Sequence, residues 1–480
     1  MDLLFIFPTL KKEESYKEIK ISNQAGGFLP PLGIATLAAY LIEKNFEVGI
    51  LDPIIEGMSL EDIIKYVKEK DPKVIAFSSV TPTFQKSKYL AEKIREQLPH
   101  KLILIGGHHI SLFKENAVEK KTSFDLFAYG EGELTAVELM SFFKENNYDR
   151  EAIMSNIEGL KNIAGIMFKQ GDQIIKTKPR ELIPDLNTIP MPARHLLKME
   201  KYIPLPIEYK RLPAVHMMVS RGCPFSCTYC STHGAFGYKV RFKSPERVIE
   251  EIKHVIDKYG ARQISFWDDV LTINKEWLTK VCNLIIEHKL DIIWNCYAHP
   301  NTINDELLKK MKEAGCFCIW YGIEAGDDLL LKVINKGTTI EGIKRAVKLT
   351  KKNGIEVRGL FMVGLPKETP ELAQKTINFA KELDLDYAQF SITTPHIGTP
   401  LYELATQYGT LEKNYDKYTQ HEAVFVPFGY QNKAQIEEMA KRAFREFYLR
   451  PSYIFKQMIK IRSPEDVKRY YKAFKIAIGF

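Results

Sequence analysis

Three of the chain's seven cysteines fall in one stretch, SRGCPFSCTYCS at 220–231, spaced C-x3-C-x2-C as Cys223, Cys227 and Cys230. Thiolates are soft ligands suited to iron–sulfur clusters or to zinc. A closed structural zinc site requires a fourth ligand, and His233 is near enough in sequence to be considered. Three thiolates on a four-iron cluster instead leave one iron open, and an open metal position is what a catalytic centre requires. That vacancy can chelate the amino and carboxylate groups of a bound cofactor. Gly222 and Pro224 restrict the path of the loop. An odd number of cysteines argues against a disulfide framework and for metal or redox chemistry.

The surrounding chain has 480 residues, 45% hydrophobic and 27% charged, which describes a globular protein of two or three domains with a sizeable core. The net charge of +8 is spread over dispersed lysines, so a solvated surface is expected and no nucleic-acid partner. There is no run of about 18 apolar residues, and MDLLFIF is too short for a signal peptide. The expected location is cytoplasmic.

Two β-α series must position the cysteines. Over 1–150, LLFIF, EVGILD, KVIAFSSV, LILIGG and FDLFAYG alternate with amphipathic stretches, which predicts a doubly wound, Rossmann-like parallel sheet. Small and polar residues collect at its strand ends: Asp52, Ser78, Ser79, Thr81, Gly106, Gly107 and Gly130. Ligands of such sheets lie at the carboxyl ends of the strands, so a large ligand across this edge is expected. Residues 151–210 break the rhythm with a β-hairpin over AGIMFKQGDQIIKTKP and a proline-rich linker. Over 211–402 six strand candidates follow one another, VHMMVS, QISFWD, IIWNCYAH, CIWYGIE, EVRGLFMVG and YAQFSIT. Six β-α units are too few for a closed eight-stranded barrel and predict a partial (β/α)6 TIM-like barrel. The cysteine loop follows its first strand, where barrel active sites are built. Residues 403–480 read as a helical C-terminal region.

C-x3-C-x2-C at that place, with Tyr229 before the third cysteine, resembles the radical S-adenosylmethionine (SAM) superfamily. The resemblance implies a [4Fe-4S] cluster on Cys223, Cys227 and Cys230, whose open iron binds SAM and whose electron cleaves it to a 5′-deoxyadenosyl radical. FWDDV at 266–270 resembles the segment meeting the SAM amine, giving Asp268 and Asp269. YGIEAGDD at 321–328 resembles the segment whose acid approaches the ribose, giving Glu324. GLFMVGLPKET resembles the strand bordering the adenine, and TPHIGTPLYE resembles a subgroup signature. That subgroup usually carries an N-terminal cobalamin-binding domain. FLPPLGIATLAAYL, GGHHIS and YGEGE resemble its recurring segments, with Gly106, Gly107, His108, Gly130 and Glu131 among them. In place of D-x-H-x-x-G stands DPIIEG: Asp52 and Gly57 are kept, but Ile54 replaces the cobalt-ligating His. The lower face of cobalamin is therefore expected to lack a protein His; His108 and His109 are expected to line the groove for its nucleotide tail. Methylthiotransferases of the superfamily carry cysteines in their first domain, and here none precedes Cys223.

The resemblance implies an enzyme modifying an unactivated carbon, with C-methylation expected and radical cyclisation or rearrangement of a lipid or tetrapyrrole the alternative. A non-enzymatic sensor of metal or cobalamin is a third reading. Tyr297 and Tyr321 are the candidate catalytic residues of the lumen, with His299, Trp320 and His396 beside them. Core packing is expected for Cys282, Cys296, Cys316 and Cys318, with Cys296 in the lumen against substrate as the alternative; Cys316 and Cys318 are expected to share a strand face. The expected partners are a small-molecule or lipid substrate and an electron donor such as flavodoxin or ferredoxin. The basic, aromatic-rich 444–475 is a candidate for peripheral membrane contact.

Overall fold

A computed structural model describes residues 1–8 and 27–459, with the single positions 461 and 467. The described chain divides into two compact units, one of 1–8, 28–202 and 231–237, the other of 203–230 and 238 onward with Gly27.

The first unit is built on seven strands: β1 (Leu3–Ile6), β2 (Val48–Leu51), β3 (Val74–Ser78), β4 (Leu102–Gly106), β5 (Leu126–Ala128), β6 (Ile166–Gln170) and β7 (Gln173–Lys176). Their order is β2-β1-β3-β4-β5-β6-β7. The first five pair in parallel, and β6 and β7 form the expected hairpin, added antiparallel to β5. The parallel strands LLFI, VIAFS and LILIG are buried almost throughout, as strands covered by helices on both faces must be. The order reverses between β1 and β3, so a ligand crevice is expected at the carboxyl ends there. Ser78 and Ser79 end β3 at that point.

The second unit holds β8 (Ala214–Met217), the short pair β9 (Ser220–Arg221) and β10 (Arg241–Phe242), then β11 (Gln263–Phe266), β12 (Ile293–Ala298), β13 (Cys316–Glu324), β14 (Glu356–Val363) and β15 (Tyr387–Ile392). Six of these form one parallel sheet in the order β15-β14-β13-β12-β11-β8, open at its two edge strands. Helices return the chain between strands. Pro245–Tyr259, for example, starts on a Ser244 cap that accepts from Arg247 N–H and ends on Gly260 at φ 62°. The C-terminal region is not wholly helical. Its strands β16 (Gly409–Leu411) and β17 (Phe425–Pro427) pair antiparallel before the helix Lys433–Tyr448, whose Phe447 is fully buried. No helix among the described residues is long and apolar enough to cross a membrane.

Two expectations about facing are corrected, those for Tyr321 and for the pair Cys316 and Cys318, and the lumen alternative for Cys296 is set aside. Tyr321 is not a lumen residue: it is 0% exposed, packs among the aliphatic side chains under the helices, and its hydroxyl meets Thr350 Oγ1 at 2.8 Å. Cys296 lies in that same outer core. A register shift, pairing Trp294 with Cys316 but Asn295 with Cys318, puts these two cysteines in different clusters: Cys316 joins the outer core and Cys318 packs with Phe317 and Trp320.

Gly107 shows how tightly the β3–β4 edge is built. Its φ is 98°, and a Cβ there would lie 2.6 Å from the Ser79 carbonyl oxygen and 2.7 Å from its nitrogen. Backbone cannot yield as a flexible side chain does. Gly107→Ala is expected to destabilise the protein by about 1–3 kcal/mol in denaturant unfolding; an unchanged midpoint refutes that close approach.

Candidate functional site

The cysteine loop is fixed at its start by one acid. Asp268, 1% exposed at the end of β11, accepts Val219 N–H at 2.9 Å and the Ser220 hydroxyl at 2.6 Å through Oδ1, while Oδ2 is buried without a partner among the described residues. Gly222 then turns the chain at φ 94°. Phe225 stacks on the imidazole of His299 at 3.9 Å, Asn335 donates to the Ser226 hydroxyl at 2.7 Å, and Thr228 N–H donates to Ile334 C=O at 2.9 Å. His299 is thus support for the loop: its Nε2 meets the Lys336 carbonyl at 2.9 Å, and burial, with the Lys336 charge, pushes its pKa down to about 4.

The three thiols lie within electrostatic reach of one another. Burial pushes Cys223 up to about 11, with Asp269 and the other two sulfurs adding; burial also raises Cys227, which the Lys336 ammonium opposes. Buried thiols disfavoured as bare thiolates require a positive partner, and an iron cluster supplies it. Among the described residues no three His, Cys, Asp or Glu side chains converge on a single metal ion. A zinc ion held by the three cysteines and His233 would need those side chains to meet at one point. A four-iron cluster makes no such demand, since each thiolate takes its own iron.

Beside the loop, Tyr229 Oη donates to Glu324 Oε1 at 2.8 Å, and Lys336 Nζ reaches the same oxygen at 2.9 Å and the phenol at 3.2 Å. Burial works against the ammonium, but Glu324 and the nearby thiols hold its pKa above the usual value. Glu324 sits at φ 66°, and a Cβ on Gly322 would meet its Oε1 at 2.6 Å and Lys336 Nζ at 2.7 Å, so a side chain there would displace the ends of the pair. Sequence reasoning found Tyr229 and Glu324 but missed Lys336. Asp269 is exposed beyond Asp268.

The sheet's inner face carries a row of rings. Tyr297 lies 5.9 Å from Trp320 and 6.1 Å from Trp267, and Trp320 lies 5.5 Å from Tyr387. Tyr297 and Trp320 belong to the expected lumen; Tyr387 and Trp267 were not singled out. His396 packs near Tyr418, ring centroids 6.1 Å apart.

In the first unit the strand ends have distinct roles. Asp52 caps the turn Pro53–Glu56 and accepts the Tyr202 hydroxyl at 2.9 Å, and burial raises its pKa. Gly57 closes that turn at φ 68°. A cavity of ≈ 570 Å³ opens there, lined among others by Asp52, Lys65, Tyr66, Lys198 and Tyr202. Ser78 Oγ lies beside Gly107, Ser79 Oγ is buried without a partner among the described residues, and Gly106 passes close to Ala128. Gly130 N–H donates to Ser111 at 3.0 Å, with open space where a side chain would stand. Glu131 is buried and accepts Ile183 N–H at 2.7 Å. His108 Nε2 meets Ser231 Oγ at 2.7 Å. His109 is corrected from groove to core: it is sandwiched by Phe84 and Phe113 at 4.1 and 3.9 Å, and burial pushes its pKa down to about 3. An orphaned serine and glycines with open space beside them fit a large polar group such as cobalamin.

Two buried acids make the second unit pH-sensitive. Burial pushes Asp268 up to about 6, and pushes Glu368, which accepts the Tyr430 hydroxyl at 2.6 Å, up to about 7. Both bind a proton more tightly folded than unfolded, so their stabilisation is full below the unfolded pKa and is lost as pH rises through the folded one. Glu368→Gln, isosteric with the protonated acid, is expected to remove on the order of 3 kcal/mol from the loss of stability between pH 4.5 and about 7. Denaturant unfolding across that interval checks this, and a curve as steep as the wild type's refutes it.

Comparison with known proteins agrees with this geometry. The Radical SAM superfamily profile matches residues 217–380 and the B12 binding domain profile matches 20–140. An uncharacterized methyltransferase of Pyrococcus horikoshii is 35% identical over 92% of this chain and 93% of its own. The anaerobic magnesium-protoporphyrin IX monomethyl ester cyclase of Cereibacter sphaeroides is 27% identical over 89% of this chain and 68% of its own. Among solved structures, the methyltransferase TsrM of Kitasatospora setae, with cobalamin and [4Fe-4S] cluster, superposes with a TM-score of 0.68 at 18% identity, over 92% of this chain and 85% of that one. OxsB with aqua-cobalamin and SAM gives 0.72 at 16% identity, over 99% and 71%. The chain belongs to the radical SAM superfamily, in its cobalamin-binding branch, whose enzymes use a [4Fe-4S] cluster, SAM and cobalamin.

Proposed function

We propose that the chain is a C-methyltransferase acting on an unactivated carbon of a small molecule. The observation that carries this reading is the rigid three-cysteine loop of the second unit, pinned by Asp268, His299 and Asn335, in a sheet whose inner face bears a row of aromatic rings. The relative from Pyrococcus horikoshii, an uncharacterized methyltransferase by name and matched over nearly its whole length, supports methyl transfer.

Cys223, Cys227 and Cys230 would hold the cluster, with Glu324 and Tyr229 toward the ribose of SAM and Asp268 and Asp269 toward its amine. Asp52, Gly57, Ser78, Ser79, Gly106, Gly107, His108, Gly130 and Glu131 would line the cobalamin site. Together the bound groups supply a carbon radical for hydrogen abstraction and a methyl group for transfer. The protein's part is positioning and exclusion of water. Lys336 holds Glu324 in its orientation, and the Tyr297 phenol, its pKa raised by burial, stays a proton-bearing hydrogen-bond donor toward a substrate. Ile54 offers no ligand to cobalt. We further assign the reductant to a flavodoxin or ferredoxin and the location to the cytoplasm.

The second reading is cyclisation or oxidative rearrangement, favoured by the similarity to the cyclase of Cereibacter sphaeroides over most of this chain. Methylation consumes SAM twice and releases S-adenosylhomocysteine with 5′-deoxyadenosine; cyclisation releases the second alone. Anaerobic incubation of reconstituted protein with SAM, reductant and small-molecule extract of its host is expected to yield both. Deoxyadenosine without S-adenosylhomocysteine sinks methylation, and neither nucleoside sinks both readings. Replacing Cys223, Cys227 and Cys230 together by Ala is expected to abolish both products and to lower bound iron from about four per chain to none. The cobalt(II) resonance spectrum of the loaded protein is expected to show no histidine nitrogen on cobalt.

Membrane contact by the C-terminal region is a weaker extension of this reading. Most of 460–480 lies outside the described residues, but the helix Pro451–Ile459 exposes Phe455, Met458 and Ile459. Flotation with liposomes that does not differ between the full chain and one ending at 459 removes the part assigned to that tail.

A further inference from the structure

We infer that the inner face of the second unit's sheet carries a receptor for an anionic group, centred on Arg358, and that the substrate is a flat, largely apolar molecule bearing a carboxylate or a phosphate. The inference deepens the proposed function and rests on it for the word substrate; the receptor itself rests on the following geometry.

Arg358 projects from β14 with its side chain 7% exposed. Among the described residues its guanidinium donates no hydrogen bond, and Nη1 is buried without a partner. The nearest carboxylate, Glu356, stands 3.9 Å away and is already held by Lys210 at 2.8 Å. Glu208, the other acid near it, is buried, and that burial pushes its carboxyl up toward the neutral form. What the guanidinium does touch is an indole: it lies over Trp320, 4.9 Å from the ring centroid, with Tyr297 and Tyr387 on either side.

A buried arginine serving only the fold is expected to end in a close, two-pronged carboxylate pair, because an unpaired charge in a low-dielectric interior is costly. Here Glu356 at 3.9 Å and the groups around it offset that cost, but no close pair fills the fork. The planar fork of donors matches a carboxylate or phosphate edge, and the flanking rings suit the face of a flat apolar body. Leu360, two residues along the same strand face and only half-buried, continues an apolar path beside it.

The test is calorimetric titration of the full-length, anaerobically reconstituted protein with three probes: indole-3-propionate, phenyl phosphate and the methyl ester of the first. At least one anion is expected to bind saturably, and the neutral ester about ten- to a hundredfold more weakly than its acid. Comparing the two anions assigns the receptor to carboxylate or phosphate. Arg358→Gln is expected to abolish the preference for acid over ester while leaving the thermal midpoint little changed, since among the described residues the buried guanidinium makes no hydrogen bond that the fold depends on. Arg358→Lys, which keeps the charge but not the fork, is expected to retain part of the preference. Equal binding of acid and ester, absence of binding by either anion, or a preference that survives in Arg358→Gln with a lowered midpoint each overturns the inference. Release of 5′-deoxyadenosine by the wild-type protein is measured alongside, so that failure of the radical-enzyme reading is told apart from failure of the receptor.

Discussion

The second unit turns on a buried ion pair. Glu324 and Lys336 are each only 8% exposed and share one close contact, into which the Tyr229 hydroxyl also feeds. Taking both charges out of water cancels much of their attraction, so such a pair adds little net stability beyond what apolar side chains of equal volume would give. Its contribution is geometric. Glu324 belongs to β13, Tyr229 to the cysteine loop, and the backbone of Lys336 receives His299, on whose ring Phe225 of the loop is stacked. One pair thus connects strand, loop and support. Gly322 leaves the space that the pair occupies, and a larger residue there would push its charged ends apart.

Among the described residues several buried polar atoms lack a hydrogen-bond partner, some in the core or on helices and others beside the sheets. Asp268 Oδ2, Ser79 Oγ, Arg358 Nη1 and Glu368 Oε2 each sit at or near the carboxyl end or inner face of a parallel sheet. Every such group costs stability in the bare chain. A protein tolerates that where a ligand later supplies the missing partner, which is why unsatisfied groups and strained backbone, such as Glu324 at φ 66°, gather around sites. By contrast the outer cores, where Cys282, Cys296, Cys316 and Tyr321 reside, are packed and satisfied.

Both units use the β-α repeat for different ends. In the first, the strand order reverses and leaves a crevice at the strand ends, bordered by glycines that a side chain would close. In the second, the strands follow in sequence and the sheet stays open at β8 and β15, leaving the inner face to be lined by rings and polar groups. The chemistry lies in residues placed on these sheets rather than in the sheets themselves.

Local sequence determined the elements and the metal-binding loop. Apolar runs bounded by Gly, Ser and Asp marked the strands, caps such as Ser244 and Gly260 marked helix ends, and C-x3-C-x2-C is legible because its residues act within one short loop. Only the tertiary structure decided which way the strand residues face. A parallel strand buried on both sides reads as a continuous apolar run with no alternation, so Tyr321 gave no sign of the outer core, and the register shift that separates Cys316 from Cys318 left no mark in the sequence. Lys336 and Arg358 were equally invisible among 68 lysines and arginines. A cation is the commonest surface residue until the fold removes its water, and what then makes it special is the partner brought to it, or withheld, by strands distant in sequence.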